Sequence, residues 1–397
     1  MGTAARLRQV YILYYGTVGS LLPYFADYLR GRGFTGAQIG TIQMIPSLLQ
    51  PAVALGWAAL ADRRGDPRRA LVWATSWAAL ISLALPFART PLQVALVVLG
   101  MALADRAVTP LLDAITLEHS LQNPRDPYAR IRLFGSVSFV VMALAMGRLL
   151  TLRGNRPADL LVPAAVTLFW ILHTLSVRRL PPIPAAHTDR PGPRDTLALL
   201  RDRRLLVLLL ACAVHWAACA PYHLFFGVFV RDHGLPHDVT ALGMGAGVVA
   251  EIAAMLLFPR LERRFQVRTL YTVVFLASAL RWAVLSQVSH PAAIVALQLM
   301  HGLTFGLFWA TTMKALGELV PGRLRATGQG LFSAVVFGGG NAAGYVLSGL
   351  GYDRFHSAAP VYAWAAVVEL AVGLLAVAAA RGHAPGTQGG GISETAR

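Results

Sequence analysis

The chain is a succession of apolar stretches, each long enough to cross a bilayer, separated by short polar breaks. A membrane-spanning helix takes about 20 mostly apolar residues. Twelve such stretches can be marked, at 9–29, 39–61, 70–88, 92–113, 133–150, 160–177, 205–230, 241–258, 269–288, 292–316, 327–350 and 360–380. The composition agrees: 56% of the residues are hydrophobic, 14% are charged, and the mean hydropathy is +0.55. A soluble domain carries about 25% charged residues. An all-α polytopic protein of the inner (plasma) membrane, embedded in a lipid bilayer, is therefore expected. The first stretch opens on Arg6 and Arg8 as a signal peptide would, but it is too long, lacks a small-x-small cleavage site and carries Pro23 and Asp27, so it reads as span one.

The formal charge of +16 does not call for a nucleic-acid partner, because the basic residues punctuate apolar runs instead of clustering on one soluble face. With both termini placed on one side, that side holds 24 of the 35 Lys and Arg residues and the opposite loops hold 8. The positive-inside rule then puts both termini in the cytoplasm. Lys314 is the only lysine and is followed by Ala315, so a Walker phosphate loop cannot occur. Cys212 and Cys219 lie in one apolar run and are too few for a disulfide framework or a zinc cluster. No metal, cofactor or oligomer is called for, and a monomer is expected.

One polar connection is long, from Arg178 to Arg204, with five prolines, and it divides six spans from six. The expected organisation is a first half at 1–177, a cytoplasmic loop at 178–204, a second half at 205–381 and a disordered Gly-rich tail at 382–397. The halves repeat. LADRRG (Leu60 to Gly65) follows span two and LERRF (Leu261 to Phe265) follows span eight; RIRLFG (Arg130 to Gly135) precedes span five and RLRATG (Arg323 to Gly328) precedes span eleven. Two pseudo-symmetric six-helix halves around a central site is an architecture of secondary transporters.

These residues carry a resemblance. GWAALADRRGDPRR resembles the signature loop of the major facilitator superfamily, with Gly56, Asp62, Arg63, Gly65, Arg68 and Arg69 on its fixed positions. LLPYFADYLRGRGFTGAQIG, PLLDA, RIRLFGSVSF, LMHGLTFG and VPGRLRATGQG are similar to the lactose permease-related group, most of all to its branch of 3-phenylpropionate permease-like proteins. The resemblance implies the major facilitator fold over nearly the whole chain. Substrates in this group range over oligosaccharides, nucleosides and aromatic acids.

Ionisable side chains inside a span are costly and mark function by default. Glu251, Arg281 and His301 fall on consecutive spans, each roughly 10–17 Å from the outer face of a ~30 Å core at ~1.5 Å per residue. A carboxylate beside Arg281 stays ionised, and takes up a proton if the arginine moves away, while His301 can relay the proton or bind solute. The resemblance also implies these three as the proton-coupling set, with one departure: the permease pattern has a carboxylate three residues after its histidine, where this chain has Thr304. The alternative is a structural salt bridge joining three helices.

In span four, Asp105, Thr109 and Asp113 share a helix face and Arg106 points about 100° away. Asp105 and Arg106 are candidates for solute binding. Asp113, near Arg130 and Arg132, reads as a loop anchor or a gate latch, and the loop of Asp62, Arg63, Arg68 and Arg69 as a latch on the halves. In span seven, His215, Trp216, Tyr222 and His223, loosened by Pro221, would suit a flat solute or face lipid and neighbouring helices. Asp27 would snorkel to water, Lys314 and Glu318 would pair on the surface, and neither Asn341 nor Glu369 has a partner legible in the sequence.

The function expected is proton-coupled symport of a small organic solute by alternating access. Proton-driven efflux would use the same motifs. An intramembrane enzyme lacks HExxH, GxSxG and a soluble domain, and a non-transporting sensor lacks an output module.

Overall fold

The computed structural model describes residues 2–64, 66–181, 199–321 and 324–381, without the side chains of 62–64, 325–326 and 376–381. The latch candidates Asp62, Arg63 and Gly65, most of the 178–204 connection and the 382–397 tail therefore lie outside what is described.

Among the described residues thirteen helices make twelve spans. The first span is split: α1 (Thr3–Leu21) ends at a turn containing Pro23, and α2 (Phe25–Gly31) resumes beyond it. This replaces the single segment expected at 9–29. The next five are α3 (Gly36–Arg64), α4 (Pro67–Ser82), α5 (Pro91–Gln122), α6 (Tyr128–Leu152) and α7 (Leu161–Arg178). The second six are α8 (Arg203–Asp232), α9 (His237–Arg264), α10 (Val267–Leu285), α11 (Pro291–Leu319), α12 (Thr327–Phe355) and α13 (Ala359–Arg381).

Local sequence sets the ends. Asp66 accepts from the Arg69 N–H ahead of Pro67, Thr90 and Gln93 form a reciprocal cap ahead of Pro91, and Asp202 accepts from the N–H groups of Arg204 and Leu205. Each satisfies donors that a helix start leaves orphaned. Among the described residues nine helices are long and apolar enough to cross a membrane on their own. At 16 residues α4 is short of a full span and is continued by the turn at Leu83–Phe87. The helix α5 runs nine residues past the expected boundary at 113. Pro221 does not interrupt α8, which is one unbroken helix.

Packing repeats with an offset of six spans. In the first half α1 lies on α6 and α7, α3 on α5, and α4 on α5 and α7; in the second α8 lies on α12 and α13, α9 on α11, and α10 on α11 and α13. The halves meet through α3 against α12 and α6 against α9, again a symmetry-related pair. Leu55, Leu80, Leu92, Leu256, Leu347 and Trp364 are more than half exposed, forming the apolar exterior that lipid would cover. Two faces result: a terminal face with the ends of α1, α3, α7 and α8, tied by Arg6 to the Arg179 carbonyl at 2.6 Å, and a distal face at the opposite ends.

Candidate functional site

A cavity of about 370 Å³ lies between the halves, lined by α1, α3, α5 and α7 and closed on one side by Asn341 and Tyr345 of α12. That is the size range of a small-molecule site. Its polar wall is an ion pair. Arg106 Nη2 lies 2.7 Å from Asp105 Oδ2, and Tyr14 donates to Asp105 Oδ1 at 3.1 Å. The expected divergence of Arg106 from Asp105 does not hold, because the flexible guanidinium stem folds back along the helix to its neighbour. Gln43, Ser47, Gln50 and Trp170 are also part of the lining. Arg106 Nε, Trp170 Nε1 and Asn341 Oδ1 are buried without a hydrogen-bond partner. Asn341, which nothing in the sequence could pair, thus stands at the cavity's second-half wall.

The aromatic group of α8 is elsewhere. His215, Trp216 and Tyr222 are buried among helices of the second half, and none of them, nor the half-buried His223, lines this cavity. Trp216 packs on Phe305, Phe308 and Phe337, and Tyr222 on Trp282 and His301. In this state they are helix-packing groups.

The structure brings Glu251, Arg281 and His301 into one row, but Glu251 does not touch Arg281. His301 stands between them: Arg281 Nη1 donates to His301 Nδ1 at 3.2 Å, and His301 Nε2 is 3.8 Å from Glu251 Oε2. Arg281 is 0% exposed, donates to Thr304 Oγ1 at 2.7 Å and Gln298 Oε1 at 2.6 Å, and lies over the rings of Tyr222 and Trp282. Among the described residues no carboxylate is within ion-pairing distance of it. Thr304 sits in a π-helical turn of α11, Gly302–Leu307, a device that frees backbone groups from the regular ladder.

Two residues left without a partner in the sequence find one in the structure, and for Glu369 it is the candidate His215. Glu369 of α13 lies 2.7 Å from His215 Nδ1, both 0% exposed. Asp27 does not reach for water but meets His237 Nε2 at 2.8 Å, across the halves. Such pairings join segments 154 and 210 residues apart, so no local pattern reveals them.

The latch candidates whose side chains are described make contacts within their own half. Arg68 donates to the Arg178 carbonyl at 2.6 Å, Arg69 pairs with Asp66 at 3.2 Å, and Gly56 is exposed. Asp113 accepts from Tyr11 at 2.5 Å and is 3.9 Å from Arg132 Nε; Arg132 also lies over the Tyr15 ring, while Arg130 is exposed. Lys314 pairs with Glu318 at 3.1 Å and also with Glu262 at 3.5 Å, tying α11 to α9.

The contacts that hold the halves together crowd the distal face instead. Asp353 accepts from the N–H groups of Gly36 (2.5 Å) and Ala37 (2.8 Å) at the start of α3; Arg30 donates to Tyr352, Arg148 pairs with Asp238, and Asn155 accepts from the His237 N–H. Among the described residues the polar contact between halves closest to the terminal face is Gln50 to Ser333 at 3.5 Å. The molecule is sealed distally. Beside this seal, in the loop after α6, burial pushes the Asp159 carboxyl up, but hydrogen bonds from Arg153 and the Leu161 N–H outweigh it and hold the group below its ordinary range.

The seal makes a prediction. A carboxylate accepting backbone N–H groups at a helix start is worth about 1–3 kcal/mol. Asp353→Asn keeps the shape and loses the charge, so the distal-open population rises roughly ten-fold. An impermeant thiol reagent applied from the distal side to Val18→Cys in the cavity reads this; an unchanged labelling rate counts against it.

Comparison with known proteins places this geometry. The model of the MFS_1 like family matches residues 4–363. The chain is 29% identical to the maltose permease of Geobacillus stearothermophilus over 344 residues, covering 84% of each chain. It is 26% identical to the probable 3-phenylpropionic acid transporter of Escherichia coli (strain K12) over 356 residues, 87% of this chain and 91% of that one. The crystal structure of the nucleoside transporter NupG superposes with a TM-score of 0.84 at 18% identity, over 95% of this chain and 99% of that chain. A solute-sized cavity between two pseudo-symmetric six-helix halves and a family match over nearly the whole length agree, and the chain belongs to the MFS_1 like family of major facilitator membrane transporters.

Proposed function

We propose that this protein is a proton-coupled symporter of the inner membrane, working as a monomer with both termini in the cytoplasm and moving a small organic solute by alternating access. The single observation that carries the reading is the cavity between the halves, walled by Asp105, Arg106 and Asn341. With the terminal face cytoplasmic, the distal seal makes this the inward-facing state, and rocking of 1–177 against 205–381 about the 178–204 connection would open the other side. The Asp62, Arg63, Arg68 and Arg69 loop would then latch the terminal face, together with Asp113 and Arg132.

The cavity favours a class of solute. Its Asp105–Arg106 pair neutralises itself, its other polar groups are amides and hydroxyls, and its rings are Tyr14, Tyr15, Phe25, Trp170 and Tyr345. Amide and hydroxyl groups match hydroxyl-rich solutes, and aromatic faces stack on a sugar ring or a base. This supports a neutral sugar or nucleoside, the classes named for the maltose permease and the NupG transporter, over the organic acid named for the phenylpropionate relative.

Proteoliposomes carrying a trapped pH dye test the reading. Maltose, a purine nucleoside and 3-phenylpropionate are added outside, one at a time, without a gradient. Entry of a neutral solute with protons is expected; solute entry without proton movement overturns symport. Asp105→Asn leaves Arg106 without its counter-charge in the cavity wall, so the freed guanidinium holds water there that a neutral solute has to displace on binding. Solute affinity therefore falls at least ~10-fold, measured by equilibrium binding.

A further inference from the structure

We propose that His215 and Glu369 form a second proton-binding site, the acidic group that balances Arg281 in the alternate state; this rests on the proton-coupled reading above. The argument is a proton count. His215 Nε2 lies 3.0 Å from the Thr304 carbonyl oxygen, which can only accept, so Nε2 carries a hydrogen. Nδ1 lies 2.7 Å from Glu369 Oε1 without the alignment of a hydrogen bond, and neither carboxylate oxygen has a hydrogen-bond partner among the described residues, so without a proton the pair would be a bare buried anion pressed against a lone pair. The pair therefore holds one proton beyond a neutral imidazole and a carboxylate. Whether that proton rides on nitrogen or oxygen, the dyad is neutral and closed to solvent.

The groups facing the dyad leave few places for a compensating charge. From α8 come Cys212 and Cys219, the latter 3.7 Å from Nε2, and His223 one turn beyond; from α10 come Phe275 and Trp282; from α11 come Thr304 and Phe308, and Arg281 of α10 reaches the dyad through the Thr304 hydroxyl. Arg281 is the cation joined to this set through Thr304, and among the described residues no carboxylate is within ion-pairing distance of it. Proton loss from the dyad leaves one negative charge beside one positive charge, where now a neutral dyad sits beside an uncompensated arginine. An isolated buried charge is costly, so proton occupancy and the position of Arg281 must be linked.

Thr304 supplies the link. Its hydroxyl accepts from Arg281 and its carbonyl accepts from His215, both within one π-helical turn, so a shift of that turn acts on both partners at once. His301 and Glu251 then extend from Arg281 to the gap between the halves, the path by which the proton leaves. His215, Cys219 and Glu369 also bring possible metal ligands within 4.8 Å of one another. A metal ion there would compete with the proton, since it takes these groups only in their deprotonated forms.

The test uses the full chain, purified and in proteoliposomes, with the solute found to enter as probe. In Glu369→Gln and His215→Gln, uphill accumulation falls at least ~10-fold while equilibrium exchange stays within about two-fold, since only the protonation step is lost. Accumulation at the wild-type level, or exchange falling in step with accumulation, overturns the proposal. A second measurement leaves the dyad intact: pH-dye titration of solute binding to Glu251→Gln, read at equilibrium so that losing the Glu251 path slows the proton without removing its site, still shows proton uptake, from the dyad. Loss of all solute-linked proton uptake in that variant overturns the second site. Wild-type protein without any solute-linked proton overturns the symport reading beneath it.

Discussion

Gly40→Val will leave the protein unable to close its distal face. Gly40 of α3 lies against the backbone of α12, and a Cβ there would drive into the Tyr345 carbonyl oxygen. The obstacle is backbone in a helix packed on both sides, so no rotamer change relieves it. Overpacking of a tight contact costs about 1–3 kcal/mol and more when nothing can yield. Valine acts on the sealed state alone, since the contact vanishes when α3 and α12 part. A 3 kcal/mol penalty shifts the two-state balance more than ~100-fold toward the distal-open form. Labelling of Val18→Cys from the distal side should rise accordingly, and transport should fall below a tenth of wild type while solute still binds from that side. Labelling from the terminal side as in wild type would count against this account. Gly227, against the Pro23 carbonyl oxygen, offers the same test on the α2 to α8 contact.

Glu251→Gln should abolish uphill accumulation and spare exchange. The carboxylate is 22% exposed, within electrostatic reach of Arg132 of the first half, and lies 3.8 Å from His301 Nε2. It is placed to pass protons between the gap and the buried row of His301 and Arg281. Glutamine keeps the volume and most of the packing but cannot titrate. Exchange of solute across equal concentrations needs no net proton movement and stays within about two-fold, whereas accumulation against a gradient falls at least ~10-fold. Unchanged accumulation would remove Glu251 from the coupling path.

The fold was legible because lipid enforces it. A bilayer demands runs of apolar residues and internal satisfaction of every backbone group, so span length writes itself into the sequence, and the duplicated basic loops reveal the two halves. The failures are local. Pro23 split the first span while Pro221 left α8 intact, because what neighbouring helices do for the freed carbonyl decides whether a proline breaks a helix.

The site was legible only as a roster of costly residues. Sequence placed Glu251, Arg281 and His301 at one depth, since rise per residue is fixed, but could not show that His301 stands between the other two. It flagged Asn341 and Glu369 without partners, and read Asp27 as solvated when it meets His237. Asp353, which seals the distal face by accepting two backbone N–H groups, carries no sequence signal at all. By itself, then, the sequence determined the spans, their count, their repeat and which charges are too costly to be idle, because these follow from transferring each side chain into lipid. The pairings of those charges, the cavity and the closed distal face were decided by the tertiary structure alone, because they join residues on different helices and depend on how the two halves lean together.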